Sequence, residues 1–246
     1  MDGFMGSMYL FRFSPQFSVL VPLATAFADY LPPKLAILFR ELKETIPAHI
    51  KRATENRQAG TMTIFSELLD SDLPESEKTV FRFTGDDFSL TAGGTETTAM
   101  VLTKVGYYLL TQPQVRARHV HVLEGAQQQM EGENPLSWAS LEQIPYLYGV
   151  VNETLRLSYG ICCRLVRIAR TEDLVYYQKE GLEYFIPRGT PIGMSSYLTH
   201  HDEDIFPDSY EFLPERWIMP KGERNTALEK HLVPFGKGSR ICLGMK

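Results

Sequence analysis

The sequence predicts a mainly α fold with a small β region, and three observations carry that expectation. Up to about residue 158, apolar residues return at helical spacing with charges between them. From about 161 to 198 the chain turns to short runs rich in β-branched and aromatic residues, bounded by turn residues. From 200 to 246 it is irregular and punctuated by Pro207, Pro214, Pro220 and Pro234.

The elements follow in order. The apolar run 13–28 contains Pro15 and Pro22 and falls short of the roughly 20 residues a spanning helix needs. Only Arg12 precedes it, so a signal peptide is not indicated; a helix that packs on a core or grazes a membrane is expected, core packing ahead of the other. Pro33 opens a helix carrying Leu35, Leu38, Phe39, Leu42, Ile46 and Ile50 on one stripe, with Pro47 kinking or dividing it. "TIFSELLD" is a short helix, and the longest helix is expected from about 74 to 110. The far end of that helix is apolar nearly all round, which predicts burial. Pro113 starts a helix to about 130, where "GENP" breaks it, and another runs over 146–157. "RLVRIARTEDLVYY" and "LEYFIPRGTPIGMSSYL" read as short strands with turns at 179–181 and 187–189. With no repeat and no flexible linker, 1–246 is expected to be one unit: a helical part over about 13–158, a β region over 161–198, and a loop-rich close over 200–246.

A chain of 246 residues can bury a substantial core. Its net charge of −5 offers no basic field for nucleic acid, which is excluded as a partner. Three cysteines, two of them the neighbours Cys162 and Cys163, do not make a disulfide scaffold and point to a reducing compartment.

The chemistry concentrates in the closing stretch "VPFGKGSRICLGMK". It is not a Walker loop: His231 stands where the first glycine belongs, and Gly238 follows Lys237 in place of Ser or Thr. Phe235, Gly238, Arg240, Cys242 and Gly244 instead satisfy F-x-x-G-x-R-x-C-x-G, a pattern expected by chance about once in ten thousand such chains or more rarely. A thiolate needs a metal or cationic partner and nearby N–H donors. Glycines at 238 and 244 would let the backbone approach a flat macrocycle, Phe235 can shield the sulfur, and Arg240 can pair with a carboxylate at the macrocycle edge. A lone cysteine is otherwise most often a small buried hydrophobe, a reading that leaves its four companions unexplained.

This loop resembles the haem-ligand loop of the cytochrome P-450 family, haem-thiolate monooxygenases in which a cysteine is the axial iron ligand. The resemblance implies that Cys242 ligates the iron of haem b. Three further motifs stand in the family's order. "GGTETT" resembles the oxygen-activation segment of the long central helix: Gly93 and Gly94 leave the backbone bare for a ligand, and Glu96 and Thr97 offer an acid and a hydroxyl for a proton relay. On the residues alone, close helix packing explains the same small residues equally well. "ETLR" sets Glu153 and Arg156 three apart on one helical face, ordinarily an exposed pair worth a few tenths of a kcal/mol. The family joins this pair to an arginine of a later Pro-Glu-Arg segment, here Arg216 in "FLPERW", as a structural network that fixes the meander before the haem loop. In the strand after "ETLR" an arginine commonly reaches a haem propionate, and Arg167 fits that place ahead of Arg164; a solvated strand arginine is the plainer reading. His200 and His201, adjacent on an extended segment, would point to opposite sides, so surface or core roles are expected ahead of a metal pair.

"LPESEKT", "AGGTETTAMVLT" and "LSYGICCRLVRIA" together are similar to fungal members of the family, trichodiene-oxygenase-like enzymes of terpenoid and mycotoxin pathways included. Where members often carry Pro-Gly, this chain has Cys162-Cys163, which changes the local turn. The resemblance implies a partial cytochrome P-450 fold, its C-terminal half, in a chain about half the family's length. The membrane anchor, the early helices and the helix after the cysteine loop are expected to be missing. It further implies a hydrophobic small-molecule substrate, O2, and electrons from NADPH through a reductase. The full-length family sits at the endoplasmic reticulum membrane; a chain without a spanning segment is expected in the cytoplasm. The alternative is a non-catalytic truncated remnant that keeps the motifs and binds haem poorly or not at all.

Overall fold

The structure is a computed structural model that describes residues 26–27, 30, 40, 44, 46–57, 64–129, 137–161, 166–178 and 181–245. Most of the apolar run 13–28, most of the helix expected after Pro33 as far as residue 45, "GENP", the Cys162-Cys163 pair, Arg164 and Lys179 lie outside the described residues. Among the described residues no helix is long and apolar enough to cross a membrane. The chain divides into two compact units, up to Thr95 and from Glu96 onward, taken here in turn.

The first unit holds helix α1 (Ile46–Arg57), helix α2 (Ile64–Asp70) and the first half of helix α3 (Val80–Thr111). Pro47 is the second described residue of α1; most of the chain before it, where a kink or division was expected, lies outside the described residues. Ile50 and Phe83 are buried together with Phe65, Leu68 and Leu69 packed around them. The Phe65 and Phe83 rings meet at 6.0 Å and 51°. Helix α3 begins at Val80, six residues after the expected Pro74, because 74–79 closes on itself in turns (Glu77 N–H to Pro74 O, 2.8 Å). Thr79 then sets the start: its hydroxyl accepts the Arg82 N–H at 3.3 Å and its carbonyl accepts the Phe83 N–H at 3.0 Å.

The second unit is built around helix α6 (Pro145–Ser158), preceded by α4 (Pro113–Gln129) and α5 (Trp138–Glu142). Tyr146, Gly149, Val150, Glu153, Thr154 and Leu157 recur at helical spacing and form its buried stripe. Tyr146, Val150 and Leu157 join Val115 of α4 and Phe212 in the core, with Val105, Tyr108 and Leu109 of α3 packed against it. Tyr108 stacks on Phe212 at 4.1 Å between ring centres. The second half of α3 is thus buried on one side only. Leu102, Tyr107 and Leu110 are exposed, against the burial expected from their composition; the residues of this half that pack on the core are Val105, Tyr108 and Leu109, one stripe of the helix.

Among the described residues the β region is two separate antiparallel pairs. Strand β1 (Arg167–Ile168) pairs with β4 (Pro191–Ile192), and β2 (Leu174–Tyr177) forms a hairpin with β3 (Glu183–Ile186) in the register Leu174 opposite Ile186. The Pro187–Gly189 turn is present, with the Thr190 N–H bonded to Pro187 O at 3.1 Å. The second strand segment ends sooner than its composition suggests: Ser196–His200 is a one-turn helix, α7. Beyond it come four 3-10 turns, Pro214–Trp217, Thr226–His231, Gly238–Arg240 and Leu243–Met245.

Candidate functional site

Glu153 and Arg156, one turn apart on α6, are both fully buried, not the exposed pair that their spacing ordinarily signals. Arg156 donates Nε–H to Glu153 Oε2 at 3.0 Å and Nη2–H to Oε1 at 2.8 Å, a two-pronged pairing. Burying two charges is costly unless every lone pair and proton is used, and here they are. Glu153 Oε1 also accepts the Arg216 Nε–H and the Leu213 N–H, each at 3.0 Å, and Oε2 accepts the Trp217 indole N–H at 2.9 Å. Arg156 spends its remaining donors on the carbonyls of His200 (2.8 Å), Ser209 (2.6 Å) and Glu211 (3.1 Å). Arg216 reaches the carbonyls of Pro207 (2.7 Å) and Asp208 (3.2 Å). The structure therefore brings Glu153, Arg156 and Arg216 together and shows what they hold: the chain from His200 to Trp217, bound to one helix by charge-assisted hydrogen bonds.

Trp217 and His200 enter this assembly without a motif to announce them. Their partners lie 64 and 44 positions away, so only the folded chain joins them. His200 is not on an extended segment; it closes α7 and is fully buried. Its Nδ1–H donates to the Arg156 carbonyl at 2.7 Å, and its Nε2 accepts the Val233 N–H at 3.0 Å. An imidazole with one donor and one acceptor in use is neutral. Burial is the main reason its pKa is pushed down to about 4. His201 takes a partly buried place beside it, bonded through its ring nitrogens to the Tyr159 hydroxyl (2.8 Å) and the Ser209 hydroxyl (3.0 Å).

Two glycines set how closely the other parts meet. A Cβ on Gly149 would stand 2.6 Å from the Pro214 carbonyl oxygen, so α6 lies directly on the Pro214–Trp217 turn. Gly160, just past the helix at φ +59°, would place a Cβ 2.1 Å from the Pro234 carbonyl oxygen. That contact and the His200–Val233 bond hold the root of the cysteine loop. From the root, the Gly236 N–H closes a turn on Val233 O at 3.1 Å, and the Cys242 N–H returns to Phe235 O at 2.9 Å.

Cys242 presents an exposed free thiol at the end of this loop. Phe235 is half-buried and Arg240 is exposed. Gly236 (φ +71°) and Gly238 (φ +80°) take the left-handed conformation that favours glycine, and no atom lies within 4 Å of a Cβ built on either. A Cβ on Gly244 would sit 3.8 Å from the Cys242 sulfur, ordinary contact, so nothing in the chain itself demands a glycine there. Gly93 and Gly94 are similarly open on α3, where any Cβ meets nothing within 4 Å. Glu96 and Thr97, two and three residues past Gly94, are half-exposed. Arg167 is exposed on β1, its Nη1–H donating to the Val166 carbonyl at 3.1 Å. An exposed Cys242 thiol on a loop rooted at Val233 and Pro234, with Gly236 and Gly238 open beside it, fits a planar macrocycle ligated through sulfur.

A cytochrome P450 family model matches residues 4–246, and the protein belongs to the cytochrome P450 family. Among its relatives, cytochrome P450 monooxygenase ucsK of Acremonium sp is 46% identical over 191 residues, covering 76% of this chain and 36% of the relative. N-acetyltryptophan 6-hydroxylase ivoC of Emericella nidulans is 39% identical over 220 residues, covering 87% of this chain and 42% of the relative. Cytochrome P450 monooxygenase tpcC of Cochliobolus heterostrophus is 38% identical over 229 residues, covering 93% and 42%. The chain spans well under half the length of these curated relatives.

Proposed function

We propose that this chain carries the haem-thiolate site of a monooxygenase that inserts one oxygen atom from O2 into a hydrophobic small molecule, a terpenoid or another secondary metabolite. The observation that carries the reading is the exposed Cys242 thiol on a loop whose root is pinned to α6 through His200 and Gly160. In this reading the Cys242 thiolate would hold the iron of haem b, which when bound would supply the activation of O2. Gly238 and Gly244 leave the loop backbone bare against the macrocycle, and Phe235 keeps water from the sulfur. The Arg240 guanidinium binds one propionate, with Arg167 as a second cation. Gly93 and Gly94 open the wall of α3, while the Glu96 carboxyl and Thr97 Oγ1 hold and pass the protons that O2 reduction consumes. Electrons come from NADPH through a reductase, and work at the endoplasmic reticulum membrane is what membership of the family suggests.

The test is the absorption spectrum of the reduced, CO-treated protein purified with haem supplied. A thiolate-type Soret band that disappears in Cys242→Ser is the expected result. Folded wild-type protein that takes up no haem overturns the proposal and leaves the non-catalytic remnant in its place.

A further inference from the structure

We propose that His200 is a positioning residue for Cys242, setting the root of the cysteine loop against helix α6 through its Nε2 acceptor. The importance of that role to function rests on the reading of Cys242 as the iron ligand; the geometry itself does not. Two separate stretches of chain meet at the ring. Its Nδ1–H is fixed on the Arg156 carbonyl at 2.7 Å, and Arg156 is itself anchored on Glu153. Its Nε2 faces the Val233 N–H at 3.0 Å. Phe206 meets the ring edge-on at 6.3 Å between centres and Tyr159 lies at 6.4 Å, so it has little freedom to turn.

Val233 is where the loop's own ladder begins. Its carbonyl accepts the Gly236 N–H, and the next residue but one, Phe235, accepts the Cys242 N–H. The path from Glu153 to the sulfur thus runs through Arg156, His200 and Val233 by hydrogen bonds, with the Gly160–Pro234 contact beside it. Without the Nε2 acceptor, Val233 loses the bond that ties the loop root to His200, and the Gly160–Pro234 contact is left without it.

Two conservative variants separate positioning from mere filling of space. Gln at 200 reaches as far as Nε2 and keeps an acceptor for Val233; Asn reaches only as far as Nδ1 and keeps the bond to Arg156. We expect His200→Asn to raise hydrogen exchange at the Val233, Gly236 and Cys242 amides by roughly tenfold while His200→Gln stays near wild type. In haem-loaded protein, the thiolate-type fraction of the CO band falls in His200→Asn and recovers in His200→Gln. Should His200→Asn fail to fold, Val233→Pro removes the donor without altering His200, exchanging the valine side chain for the proline ring; Leu232 already has ψ 114°, which suits a residue before proline. The proposal is overturned if the wild-type Val233 amide exchanges as an unprotected one, if the two His200 variants exchange alike, or if folded Val233→Pro leaves Gly236 and Cys242 protected. Exchange needs no haem, so a wild type that takes up no haem strikes the proposed function and leaves this role standing.

Discussion

Removing the Glu153 carboxylate strands five hydrogen-bond donors at once, two from Arg156 and one each from Leu213, Arg216 and Trp217. An uncompensated buried guanidinium is among the most expensive defects a core can hold, and Glu153→Ala is expected to cost about 3–5 kcal/mol. Urea unfolding followed by far-UV circular dichroism measures it. Glu215, one place before Arg216, is the control. It pairs with Arg118 on the surface at 2.8 Å with both side chains about half-exposed, so Glu215→Ala should cost under about 1 kcal/mol. Glycines divide in the same way. Gly181 has φ +79° with open space around it, so Gly181→Ala pays only the left-handed penalty of about 1–2 kcal/mol. Gly160→Ala adds a collision with the Pro234 carbonyl that no rotamer relieves. Its melting temperature should fall further than that of Gly181→Ala, and a smaller fall than in Gly181→Ala would show that the loop root gives way freely.

At the scale of elements, α7 carries a pH dependence whose sign follows from His200. Burial is the largest cause of its lowered pKa, its bond to the Arg156 carbonyl opposes the shift, and the charges of Arg156 and His201 reinforce it. The ordinary value is 6.5 and the folded value about 4, so between these the unfolded chain binds the proton first. Stability from this group is therefore whole above pH 6.5 and is lost as pH falls toward about 4, by up to about 3 kcal/mol. Denaturant titrations from pH 7 to 4 should show a shallower slope in His200→Gln than in wild type; parallel slopes would remove His200 as the cause. Why α7 escapes a reading of the sequence is a matter of length and composition. Five residues, SYLTH, give no helical period, and Tyr and Thr favour strands. Helix α6 is legible because its apolar stripe runs four turns, and the structure extends it by only one residue at each end. The start of α3 is misread because charged 74–79 looks helical, whereas its first residues hydrogen-bond into turns. The cysteine loop and the Glu153–Arg156 pair are visible as motifs. Trp217, His200 and Gly160 are not, since their roles exist only across spans of 33 residues or more or, for Gly160, in an approach to Pro234 that sequence spacing does not encode.

At the scale of the molecule, charge and exposed apolar surface act together. The sequence carries a net charge of −5 at neutral pH and an isoelectric point near 5.7, so repulsion between copies fades as the solution is acidified toward that point. Large apolar side chains are exposed: Leu102 and Leu110 on α3, at 65% and 74%, and Phe185 on the β hairpin at 67%. Such surface, freed from charge repulsion, drives association in water at about 25 cal/mol per Å2 buried. Sedimentation velocity should therefore show larger species growing with protein concentration, most strongly near pH 5.7. Serine at Leu102, Leu110 and Phe185 together should return the chain toward monomer without shifting the pH of that maximum. The pH window overlaps that of His200, yet the two effects separate cleanly. Loss of folding stability at His200 is a property of one molecule and is independent of concentration, whereas association is not. A wild-type chain whose sedimentation is unchanged over a tenfold concentration range at pH 5.7 would show that these exposed side chains do not meet in solution, and the acid sensitivity would then belong to folding alone.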